Sequence, residues 1–127
     1  MTTAWAHLPN AAHIDSVIAS ANANPEQWVD AWEDAWDVAR HRGRVAACKM
    51  IKKQGRNAIW DAAFWVARDT PQYAATDAIL ALIAYDECAY MLESDPGELA
   101  ILAAFSDPRA SLLLPACKVF HSLKTIA

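Results

Sequence analysis

Trp28, Trp32 and Trp36 recur every four residues in the stretch WVDAWEDAWDVAR. On a helix, steps of four residues drift by only ~40°, so the three rings form one ladder. Ala31, Ala35 and Ala39 lie beside them as flat places where another helix can approach. Asp30, Glu33, Asp34 and Asp37 mark the side facing water. A chain with this pattern packs as helices, large rings wedged against small alanines. The ladder constrains packing and carries no chemistry by itself.

Composition agrees. Apolar residues make up 55% of the 127, which suits one core in one domain, residues 1–127. Glycine is rare, and no run of strand length alternates apolar with polar. The expectation is an all-α fold: a compact bundle of about five to seven helices around a central apolar helix at about 71–93, in the range of small single domains. That central run, AILALIAYDECAYML, is apolar nearly all round, as buried helices are.

Local signals place the other elements. Residues 1–12 read as an N-terminal arm, and His13 to Ala21 as a first helix. Asn24-Pro25-Glu26-Gln27 caps the tryptophan helix, which should end near Gly43. A basic helix should follow to Gln54, with Gly55 as its C′ residue, and another from Asn57 to Arg68. Thr70-Pro71 should open the central helix. Asp95-Pro96-Gly97-Glu98 is a capping box for a helix to about Phe105. Asp107-Pro108 reads as a short turn, and Pro115 as a kink in the last helix or its start.

A shift of 28 residues lays residues 31–51 on 59–79 with eight identities in 21 positions, among them Trp32 on Trp60 and Arg40 on Arg68. This suggests a duplicated helix pair. The runs DAWEDAWDVAR, IWDAAFWVARD and DAILALIAYDECAYMLES resemble small alanine-, tryptophan- and aspartate-rich helical proteins of phages and bacteria, over residues 28–94. The resemblance implies an accessory protein that acts by binding, such as a host-factor or defence inhibitor. It transfers no site residues.

Charge is lopsided. The net charge is −4, yet seven of the eleven basic residues fall between Arg40 and Arg56 with no acid among them: Arg40, Arg42, Arg44, Lys49, Lys52, Lys53 and Arg56. The rest of the chain carries −11. Lys49, Lys52 and Lys53 group on one side of a helix, with Ala47, Cys48 and Ile51 on the other. Such a face can meet phosphates or the acidic side of the tryptophan helix. The segment fails as a helix-turn-helix, because Asp61 stands where an apolar residue should pack.

Chemical motifs are sparse. Cys48, Cys88 and Cys117 form no framework and no C-x-x-C pair. Cys117 and His121 share a helical face, but a closed zinc site needs four ligands. Asp86 and Glu87 point apart, and a buried Asp86 would pair with Arg40 or Arg68. No phosphate-binding or hydrolase motif is present. The expectation is therefore a non-enzymatic, cytoplasmic protein-binding module that self-associates, without cofactor, metal, catalytic residue or membrane span. Its candidate contact residues are Arg42, Arg44, Lys49, Lys52, Lys53, Arg56, Trp28, Trp32 and Trp36. The alternatives are nucleic-acid binding through residues 40–56, weak and non-specific, and a small-ligand protein with a tryptophan-lined pocket.

Overall fold

The structure is a computed structural model that describes residues 3–34, 37–67, 73–105 and 107–126, without the side chains at 32–34, 37–39, 73 and 124–126. Among the described residues seven α-helices follow one another: α1 Ala11–Ala23, α2 Pro25–Asp34, α3 Asp37–Lys53, α4 Asn57–Ala67, α5 Tyr73–Ala84, α6 Pro96–Ala104 and α7 Pro108–Ile126. A 3₁₀ turn, Ala89–Glu93, lies between α5 and α6. No strand occurs among the described residues, and no helix among them is long and apolar enough to cross a membrane.

The apolar helix is central, as its composition requires. From Ala74 to Ala84 every residue of α5 except Thr76 is buried. Helices α1, α2, α3, α4 and α7 all pack on it. Helix α7 is the second axis of the bundle, touching α2, α3, α5, α6 and the 3₁₀ turn. Ala78, Ala81 and Ala110 in these helices are fully buried, so backbones come close.

Several boundaries follow the local signals. Gly55 takes φ +69°. Around it Arg56 N–H reaches the Ile51 carbonyl at 2.9 Å and Gly55 N–H reaches Lys52 at 3.2 Å, the paired bonds of a Schellman cap. Asp95 accepts from Glu98 N–H at 3.1 Å and so caps α6. Asn24 stands between α1 and α2, but its side chain donates backward to the Ser20 carbonyl at 3.2 Å and finishes α1.

Other boundaries differ from the sequence reading, each for a physical reason. Gly43 ends nothing; it lies inside α3, where a Cβ would meet the Pro108 carbonyl oxygen and Leu112 Cγ, both at 3.1 Å. Its role is close approach of α3 to α7. Each copy of the 28-residue repeat spans parts of two helices, 31–51 those of α2 and α3 and 59–79 those of α4 and α5, with the helix ends at different positions of the alignment. Asp107-Pro108 opens the longest helix, because Asp107 Oδ1 accepts from the N–H of Arg109 at 2.9 Å and of Ala110 at 3.4 Å. Pro115 is an interior residue of α7 and neither starts nor ends it. Of the expected arm, residues 1–12, the described part before α1 is packed, and α1 begins at Ala11. Trp5 and Leu8 are buried, and the Trp5 indole donates to Asp15 at 2.9 Å.

Gly43 gives a test of the α3–α7 contact. An interior helical glycine replaced by alanine ordinarily gains up to ~1 kcal/mol from helix propensity. Here overpacking, which typically costs about 1–3 kcal/mol, opposes that gain. Gly43→Ala is expected to lower stability in a urea melt. A more stable variant would show that the two helices are not held this close.

Candidate functional site

The basic helix α3 has an inner and an outer side, and the two do different things. On the inner side Asp77 of α5 is buried, and α3 supplies its counter-charges. Arg44 grips it with two bonds, Nε to Oδ1 at 2.7 Å and Nη2 to Oδ2 at 3.0 Å. Arg40, itself only 3% exposed, lies 3.6 Å from Oδ2. A carboxylate so enclosed requires this pairing.

At the other end of α5 the requirement concerns carbonyls. The last four C=O groups of any helix lack N–H partners from within it. In α5 these are Ala81 to Ala84, all buried. Tyr85 N–H serves Ala81 at 2.9 Å. Asn10 donates to Leu82 at 2.9 Å, Arg56 to Ile83 at 2.8 Å and Gln54 to Ala84 at 3.0 Å. Asn10 also donates to the Tyr85 carbonyl at 2.9 Å. Residues 86, 87 and 88 would have bonded Leu82, Ile83 and Ala84 had the helix continued. In the structure the helix expected to reach residue 93 stops at Ala84, and side chains supply these donors in their place.

This arrangement corrects two expectations. Asp86 pairs with Arg56, at 2.7 and 3.2 Å, in place of Arg40; Arg68 lies outside the described residues. Of the candidate contact residues, Arg44 and Arg56 hold the fold together internally.

Arg42, Lys49, Lys52 and Lys53 face outward. All four are exposed, and none has an acidic partner among the described residues. Val45 and Cys48 are exposed with them, so Cys48 belongs to this side and not to the apolar side with Ala47 and Ile51. Of the acids expected to balance the basic face, Asp30 is exposed and makes no ion pair among the described residues, and the side chains of Glu33, Asp34 and Asp37 lie outside them; the acids that do balance its inner side are Asp77 and Asp86.

The tryptophans divide as well. Trp28 is core: it is fully buried, stands edge-on to Phe120 with centroids 6.0 Å apart, and donates its indole N–H to Ser20 Oγ at 3.1 Å. It is therefore not a surface contact residue. The side chains of Trp32 and Trp36 lie outside the described residues. Trp60 leans on Phe64 at 5.7 Å, and Trp65 is 63% exposed.

The remaining titratable groups are tied to structure. Burial pushes the Cys88 thiol up to about 12, and its Sγ–H donates to the Ala81 carbonyl at 3.4 Å. Burial also raises the Tyr85 hydroxyl, with Asp107 adding to the effect. Asp107 goes the other way: desolvation alone would raise it, but hydrogen bonds from Arg109 and that residue's charge hold it below the usual carboxylate value. Cys117 is buried and donates to the Ser94 carbonyl at 3.1 Å, whereas His121 is exposed, so their shared spacing puts them at different depths. A cleft of about 230 Å³ near Tyr85, Glu87 and Arg109 and a cavity of about 200 Å³ beside His13 have no tryptophan in their walls.

Sequence reasoning missed an apolar face on α6. Ile101, Leu102 and Phe105 are 58%, 41% and 82% exposed. The signal was present, since a helix reading ELAILAAF has one acid and no wet side. On α4 likewise Phe64, Trp65 and Val66 are exposed, and Ala63 and Ala67 are the buried contacts. No protein-family model, curated protein or solved structure matches the chain.

The two sides of α3 predict opposite outcomes. Asp77→Ala breaks a buried ion pair and is expected to cost about 3–5 kcal/mol. Lys52→Ala, on the outer side, should change stability by less than ~0.5 kcal/mol. Chemical denaturation of both variants checks the contrast; equal effects would contradict the division.

Proposed function

We propose that the protein is a non-enzymatic helical module that acts by binding another protein, with α6 as the contact. One observation carries this reading: Ile101, Leu102 and Phe105, spaced to share a helix face, are largely exposed. Apolar side chains gathered at one place on a surface mark interaction sites. Full burial of each would contribute about 1.5–3 kcal/mol. Phe64, Trp65 and Val66 offer a second such region on α4. The ionisable groups that might suggest catalysis, Asp77, Asp86 and Cys88, are engaged in internal bonds. Self-association is the simplest use of such faces, and the resemblance to phage and bacterial helical proteins suits an accessory that engages a host factor. The test is Ile101→Asp with Phe105→Asp, followed by light scattering over a concentration range and by photo-crosslinking from position 102. The double variant is expected to lose the self-complex or the crosslinked partner while melting with the wild type. Unchanged mass and unchanged crosslinks would count against α6 as the contact.

A second reading rests on the outer side of α3. Arg42, Lys49, Lys52 and Lys53 extend over ~16 Å of helix, enough to meet phosphates of one nucleic-acid strand. Such binding would be non-specific, with Kd about 10⁻⁴–10⁻⁶ M, and a logarithmic salt slope of about −3 to −4 for four contacts. Lys49→Glu with Lys53→Glu should abolish it in fluorescence anisotropy with a short duplex. Binding that ignores both salt and charge reversal would argue against this side as the site.

A further inference from the structure

Apart from these surfaces, the fold brings unlike groups together in one more place. A cavity of about 200 Å³ opens between the start of α1, the 3₁₀ turn and α7. Ala12, His13 and Ser16 line it from α1, Leu92 and Glu93 from the turn, and Phe120 from α7. Three of these are apolar. The Phe120 ring is fixed from behind by Trp28, at 88° between planes, and Trp28 is fixed in turn by Ser20. The ring's position therefore depends on the core and not on what occupies the cavity.

The polar side has a definite bias. The Ser16 hydroxyl, the Glu93 carboxylate and the His13 imidazole are all able to accept hydrogen bonds. Glu93 brings a full negative charge, and no lysine or arginine lines the cavity. An aromatic face with a carboxylate nearby favours a cation over a neutral or anionic guest. The size is below the ~300–1,000 Å³ of pockets for drug-sized ligands, so the guest is small.

We propose that this cavity binds a small primary amine with an apolar body, its ammonium directed to Glu93 and its body against Phe120 and Leu92. None of its lining residues belongs to α3, α4 or α6, so the site is independent of the proposed protein contact.

The experiment is a ¹H–¹⁵N NMR titration of the full chain with benzylamine, with benzyl alcohol and benzoate as neutral and anionic counterparts. Benzylamine is expected to give saturable shifts centred on residues 12–16, 92–93 and 120, with a dissociation constant in the millimolar range. Benzyl alcohol should bind about tenfold more weakly, the ratio set by one charge-assisted hydrogen bond, and benzoate should not saturate. Glu93 is exposed, so Glu93→Gln leaves the core intact. That variant should lower benzylamine affinity by about tenfold and leave benzyl alcohol unchanged. Three outcomes each overturn the proposal: no saturable shift with benzylamine, equal binding of amine and alcohol, or a Glu93→Gln variant that binds benzylamine as the wild type does.

Discussion

A helix buried along nearly all of its length cannot satisfy its last carbonyls with water. Helix α5 is in that position, and much of the structure is arranged around meeting its demands. Among its buried polar groups are one carboxylate, Asp77, and four terminal carbonyls. Each needs a donor brought from elsewhere in the chain, because a buried group left without one forfeits its hydration with nothing in return. Arg40 and Arg44 serve the carboxylate; Asn10, Gln54, Arg56 and Tyr85 serve the carbonyls. Four of these six partners come from α3 and the turn that follows it. The orientation of α3 against α5 is thus set by hydrogen bonds at both ends, with Ala47 and Ile51 packing between.

This explains why the basic segment is basic. A run of seven cations in a chain of net charge −4 invites the idea of a polyanion site. In the structure three of the seven, Arg40, Arg44 and Arg56, pair with Asp77 or Asp86. These three are all arginines, and the group left outside is Arg42 with three lysines. Planar, multiply donating arginine suits a buried carboxylate or a carbonyl better than a point-charge lysine does. Residue type would have sorted the inner set from the outer set more reliably than charge alone.

Patterns that depend on neighbours in sequence were legible from the start. The all-helical class, the central helix, the Gly55 cap and the Asp95 cap all rest on spacing within a few residues, and the structure has them. What escaped was set by tertiary partners. Nothing in Tyr85-Asp86-Glu87 looks like a helix stop, and the donors that meet the carbonyls freed there come from residues 10, 54 and 56. Gly43 looked like a stop because a helical glycine is costly, but its reason lies on α7. The candidate surfaces divided the same way. Trp28 fits the core half of the ladder reading, while the exposure of Phe105 reflects how few neighbours α6 has besides α7.

Asn10 bears on the order in which the chain assembles. Its two bonds close separations of 72 and 75 residues. Those from Gln54 and Arg56 close separations of 30 and 27. Loop closure is more costly for the longer spans, so contacts between α3 and α5 have the entropic advantage early in folding. The segment carrying Trp5, Leu8 and Asn10 then docks onto a helix end that already exists. By that cost, residues 3–10 form a latch that would close last and, by the same argument, open first when the native protein fluctuates.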